Sequence, residues 1–141
     1  MAESLSATAV LINGRMKFKG DAGGRTVYTD YVPPYGDNDG FLPLELFLIS
    51  LSSCMGAALS VFLSKAGKHI NTLSVHAEGT RREEHPLCFA SIALEVHLAS
   101  DNTSEDELQK IIQAAEQTYC PLAAMIKNNV ELHTQFTLSR E

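Results

Sequence analysis

Cys54, Cys88 and Cys120 are the side chains of this chain best suited to covalent chemistry. Their number is odd, their spacings are wide, and no CxxC unit pairs them. The first ten residues, MAESLSATAV, carry an acid where a secretory leader has a basic region followed by an apolar core. The expected compartment is therefore a reducing cytosol, in which thiols serve either as small buried hydrophobes or as reagents.

Cys120 and Cys54 each have two readings. Cys120 precedes Pro121, which disfavours helical geometry at Cys120 and places it at the N-cap of a following helix. A thiol there faces unpaired N–H groups and the positive end of a dipole, so the sequence predicts a lowered pKa. The other reading is a thiol simply buried at a helix junction. Cys54 lies mid-helix among Ser50, Ser53, Ala57 and Ala58, small neighbours that leave room for a substrate or a second group. Taken alone it reads more readily as a core hydrophobe, and chemistry there needs a cationic neighbour, because a helix interior offers no free N–H. Glu45 is the only charge on that helix before Lys65. Nine residues of helix put it about 13.5 Å from Cys54 along the axis and on the opposite side, so it reads as a complement to the dipole. Cys88 shares the apolar phase of a strand with Ala90 and Ile92 and reads as core.

Other chemistry lacks support. His69, His76, His85, His97 and His133 form no HExxH or CxxH unit, and His76, His97 and His133 fall on the polar phase of strands. No metal site is expected. GxGxxG, GxxxxGK[ST] and GxSxG are absent, so no cofactor is expected either. Eleven basic against 17 acidic residues, a formal charge of −6, argue against nucleic acid as a partner.

The elements that must position these groups can be read in order. At 141 residues, 45% apolar, the chain suits one domain, 1–141, with a real core. Residues 5–32 read as three strands, with Asn13-Gly14 as a two-residue hairpin turn and a break at 20–24. Pro33 to Gly40 is a loop. A helix runs from Pro43 to about Ala66 and stops at Gly67. Its uncharged stretch from Leu46 to Leu63 reaches the lower limit of a membrane span. Ser50, Ser52, Ser53, Cys54, Gly56 and Ser60 interrupt it, so a buried central helix enclosed on most faces is expected, with no membrane. Leu73 to Thr80 and Cys88 to Leu98 alternate as an antiparallel pair about the RREEHP turn. Ser104 and Glu107 stand at capping-box spacing, Leu108, Ile111, Ile112 and Ala115 mark an apolar face, and Cys120-Pro121 starts a short helix through about Lys127. Val130 to Leu138 is a last strand. Strands, long helix, strands, helices and strand argue α+β with a mainly antiparallel sheet.

PLELFLISLSSCMGAALSVFL, with Cys54, and AAEQTYCPLAAMIKNNVELHTQF, with Cys120, together resemble the two cysteine segments of the OsmC/Ohr family of thiol proteins. RREEHPLCFASIALEVHL is most similar to the YhfA-like branch. The resemblance implies an intertwined homodimer, with sheets wrapped around long central helices. It also implies that Cys54 is peroxidatic and Cys120 resolving: Cys54 is oxidised to sulfenic acid by a hydroperoxide, Cys120 condenses with it to a disulfide, and a dithiol resets the pair. Family members use an Arg and a Glu to ionise and orient the first cysteine. Here Leu44 directly follows the helix proline, where the Ohr pattern has its carboxylate. Glu45 comes one residue later, about 100° round the helix. PPYGDNDGF contains no Arg, which leaves Arg15 and Arg25 as the candidate cations.

The resulting expectation is a cytoplasmic, dimeric peroxidase acting on small, organic hydroperoxides, with the apolar helix surface and the loop containing Tyr35 and Phe41 lining a pocket for the apolar tail. The alternatives are a non-catalytic dimer that senses redox state or binds a hydrophobic ligand, and a structural dimer with inert thiols.

Overall fold

The computed structural model describes residues 3–141. It forms two compact units, one ending at Phe47 and the other Leu48–Glu141. In the first, β1 (Thr8–Leu11), β2 (Phe18–Ala22) and β3 (Arg25–Thr29) make the expected antiparallel meander. Its first turn differs from expectation. Asn13-Gly14 does not form a two-residue hairpin, because the Asn13 side chain accepts the N–H groups of Arg15 and Lys17 at 3.0 and 3.1 Å. This side-chain turn widens the loop, which closes at the Ile12 N–H to Lys17 O bond, 2.9 Å. The β2–β3 turn lies within the expected break and is the tight one: Gly23-Gly24, with φ of +55° and +78°, the pair of positive values that a type I′ hairpin demands.

The loop after β3 is organised by Asp30, whose carboxylate is buried and accepts the N–H groups of Tyr31, Asp37 and Asp39 at 2.8, 3.2 and 3.2 Å. Gly36 fits over it where any Cβ would overlap Tyr31 O and Asp30 Oδ1.

α1 (Pro43–Lys65) starts in the first unit and continues through the second. Leu42 donates its N–H to Glu45 Oε1 at 2.8 Å, the side chain reaching back as in a capping box. At the far end, Gly67 at φ +72° closes a Schellman motif, with Lys68 N–H on Leu63 O and Gly67 N–H on Ser64 O. By length and composition α1 could cross a membrane. It is built as a packed helix, with Leu51, Met55, Ala58, Leu59 and Leu63 buried in one stripe. The enclosure expected on most faces is not found: Ile49, Ser50, Ser53 and Ala57 are exposed, because only one side of the helix is covered within one chain.

The second sheet has the order β4-β5-β6, from β4 (Thr72–Arg81), β5 (Phe89–Ala99) and β6 (Glu131–Ser139). β4 and β5 are antiparallel, whereas β6 runs parallel to β5 because the intervening helices carry the chain back across the sheet. β5 is thus central, and Ile92, Leu94, Val96 and Leu98 are buried as its alternation requires. A bulge corrects the first part of that alternation. Thr80 pairs with Ser91 and Arg81 with Phe89, which leaves Ala90 over and reverses the phase. Phe89 turns inward beside Gly79, Ala90 is exposed, and Cys88, expected in the core, is only half-buried outside the strand.

α2 (Glu105–Ala114) begins with the predicted capping box between Ser104 and Glu107. It runs into a π-turn (Ala115–Tyr119) before Cys120 and α3 (Pro121–Ile126).

Candidate functional site

Cys54 and Cys120, 66 residues apart in the chain, lie with their sulfurs 2.9 Å apart, Cys120 donating its S–H to Cys54. Both are free thiols. A disulfide needs about 2.05 Å, so the sulfurs have roughly 0.9 Å left to close.

The position of Cys120 follows from local chain chemistry. Pro121 keeps Cys120 extended, at φ −75° and ψ 110°, and itself opens α3 at its first turn. The Cys120 N–H reaches back five residues to Ala115 O at 2.8 Å, the bond that defines the π-turn. Two side chains hold this turn. The Tyr119 ring meets Phe62 of α1 edge-on, with centroids 5.3 Å apart and planes at 69°. Glu116 accepts the Thr134 hydroxyl of β6 at 3.2 Å, and burial pushes its carboxyl above the ordinary range. None of Phe62, Glu116, Thr134 or Tyr119 was marked by the sequence. The helical periodicity read through Ala115 carries no sign of the extra residue in the π-turn.

The prediction that the N-cap position lowers the Cys120 pKa is overturned. Burial pushes the thiol up, and donation of its proton to Cys54 pushes the same way. The amides of Ala123 and Leu122 pull down but do not prevail. No hydrogen bond of capping geometry joins the sulfur to them. Cys120 has only 2% of its surface exposed and is the donor of the pair. Cys54 is half-buried and is the acceptor.

The three supporting candidates stand as follows. Glu45 is exposed and engaged with Leu42 N–H at the start of α1, the dipole-complementing position read from the sequence. Arg15 pairs with Asp37 and donates to Pro34 O and Tyr35 O at 2.9 and 3.2 Å, so it braces the 33–37 loop. Arg25 opens β3, exposed, with no ion pair among the described residues.

A cavity of about 600 Å³ lies between α1 and β4, lined by Leu48, Ser52, Gly56, Ser60, Leu73 and Val75 among others. Neither cysteine lines it. Phe41 lines a separate cavity of about 520 Å³ with Val27 and Tyr28, but Tyr35 does not share it and projects outward, 70% exposed.

Residues 36–135 match the family profile of the OsmC-like proteins, and the chain belongs to that family. Solved structures agree in fold. An OsmC-like protein from Mycoplasma pneumoniae is similar at TM-score 0.87 and 22% identity over 99% of both chains. A hypothetical protein from Aquifex aeolicus VF5 gives 0.86 and 22% over 98% of each. An organic hydroperoxide resistance protein from Elizabethkingia anophelis gives 0.72 and 23%, over 100% of this chain and 99% of its own. None of the curated protein sequences matches the chain. The α+β OsmC-like fold expected from the two cysteine segments is thereby borne out.

Proposed function

We propose that the chain is a thiol-dependent peroxidase that reduces organic hydroperoxides, with Cys54 attacking and Cys120 resolving. The observation that carries this reading is the 2.9 Å approach of two free thiols from remote segments, one half-buried and the other sealed. Cys54 is the more accessible sulfur and meets the peroxide first. Its sulfur attacks the distal peroxide oxygen and the O–O bond breaks. The alkoxide takes up the proton that Cys54 gives to solvent and leaves as an alcohol, with Cys54 oxidised to sulfenic acid. The Cys120 sulfur then displaces the hydroxyl group. The S–S bond forms, and the Cys120 proton departs with that hydroxyl as water. A dithiol returns both cysteines to thiols and is itself oxidised to a disulfide.

The family supports this reading, and the Elizabethkingia anophelis relative is described as an organic hydroperoxide resistance protein. A second copy of the chain completes the assembly. The exposed side of α1, with Ile49, Ser53 and Ala57, is the surface it covers. A reducing cytoplasm supplies the dithiol.

The test is consumption of cumene hydroperoxide by the purified protein with a dithiol reductant. Wild type turns over; Cys54→Ser does not react; Cys120→Ser consumes one equivalent and halts. Disulfide formation without turnover in excess dithiol points instead to a redox sensor, and two cysteines inert to peroxide and to alkylation refute both readings.

A further inference from the structure

Tyr119 has half of its surface exposed, so it contributes little to the core, yet its ring makes a defined edge-on contact with Phe62. Phe62 lies on α1, the helix that carries Cys54, eight residues further on and about 12 Å along the axis. Tyr119 is the immediate neighbour of Cys120. We infer that the Tyr119–Phe62 contact is a positioning device for the resolving step, pinning the Cys120 segment to the helix of Cys54 so that the two sulfurs stay in bonding reach. This inference rests on the proposed peroxidase chemistry for its function, although the positioning itself is independent of any peroxide.

Three features make the pin necessary. Cys120 sits at the junction between a π-turn and a helix of six residues, its N–H bonded back to Ala115 O and its carbonyl accepting the Ala124 N–H. These two bonds fix the backbone within the turn and α3, and neither reaches α1. On the side of β6, Glu116 ties the same turn to Thr134. Tyr119 is the matching tie on the side of α1, and it is one residue from the sulfur. Without it, the Cys120 segment gains freedom to swing, and the share of time the sulfurs spend in line for attack falls.

An edge-on aromatic pair holds its partners strongly enough that losing it lowers the effective concentration of Cys120 at Cys54 by about three- to tenfold. Tyr119→Ala should leave the rate of peroxide attack at Cys54 unchanged. It should slow the sulfenic-acid-to-disulfide step by that factor, so that dimedone traps more of the sulfenic acid. Tyr119→Phe keeps the ring and should restore the wild-type rate, whereas Phe62→Leu, which removes the ring from the other side, should reproduce the defect.

A second measurement separates this inference from the peroxidase reading. Equilibration with a glutathione redox buffer gives the effective concentration for the Cys54–Cys120 disulfide without any peroxide. A three- to tenfold drop in Tyr119→Ala, with Tyr119→Phe unchanged, supports the pin even if wild type proves inert to hydroperoxides. Equal effective concentrations in wild type and Tyr119→Ala overturn it, even if wild type is an active peroxidase.

Discussion

Joining Cys54 to Cys120 closes a loop of 66 residues, and the stability of the oxidised protein follows from that length. Cross-linking removes about 2.1 + 1.5R ln n cal/mol/K of entropy from the unfolded chain, where n is the number of residues in the loop. For this loop the sum is about 14.6 cal/mol/K, or about 4.4 kcal/mol at 25 °C. Closing the remaining roughly 0.9 Å costs part of this, and a net stabilisation of about 3 kcal/mol is expected, in the usual range for native disulfides. In a domain of this size that corresponds to a rise of about 10 °C in Tm. The assay is urea unfolding of the fully reduced and the oxidised protein at one protein concentration, so that any association is held fixed. Cys54→Ser, treated with the same oxidant, is the control for oxidation elsewhere. The oxidised form should show the higher midpoint and the control none. If oxidised and reduced protein unfold at the same urea concentration, the sulfurs do not meet in an unstrained native geometry and the proposed pairing is wrong.

Two further outcomes follow from other parts of the fold. Gly79→Ala should cost about 1–3 kcal/mol in thermal or urea unfolding, because its Cβ would overlap the ring of Phe89, which is buried; a neutral result would show that the ring can shift freely. Glu107, held by Lys68 and by the N-cap Ser104, titrates at about 2 instead of its ordinary 4.5. A depressed carboxylate stabilises the fold fully above the ordinary value, so this contribution should fade as pH falls from about 4.5 toward 2; a normal midpoint for Glu107 in a carbon-detected NMR titration would contradict the pairing.

What could be read from the chain before folding was chemistry confined to a few neighbouring residues. Gly67 stops α1 and Ser104 with Glu107 starts α2, because a positive φ and a reciprocal cap each depend on residues within one turn. The extended backbone at Cys120 is likewise written by Pro121. Competition between equally local signals was harder to resolve: Asn13 spent its side chain on the amides of Arg15 and Lys17, which opened the turn that Asn13-Gly14 would otherwise have closed in two residues. Features set by distant partners were not legible. Ala90 is extruded only because Arg81 pairs with Phe89 across the ladder. Cys120 is pushed up rather than down because the folded chain buries it against Cys54, which outweighs the amides beside it. The resemblance of the two cysteine segments pointed to a partnership between them. Their contact, and the aromatic ring beside it, belong to tertiary packing alone.

The serines of α1 carry a quieter consequence. Ser52, Ser53 and Ser60 turn their hydroxyls back onto Leu48 O, Ile49 O and Gly56 O at 2.8–2.9 Å. Their protons are thereby committed inside the helix, and what they offer outward is mostly methylene. Beside Gly56 and Ala57, a stretch that looks hydrophilic on paper behaves as a smooth, low-relief hydrocarbon strip, one against which another backbone can settle closely without leaving a stranded donor behind.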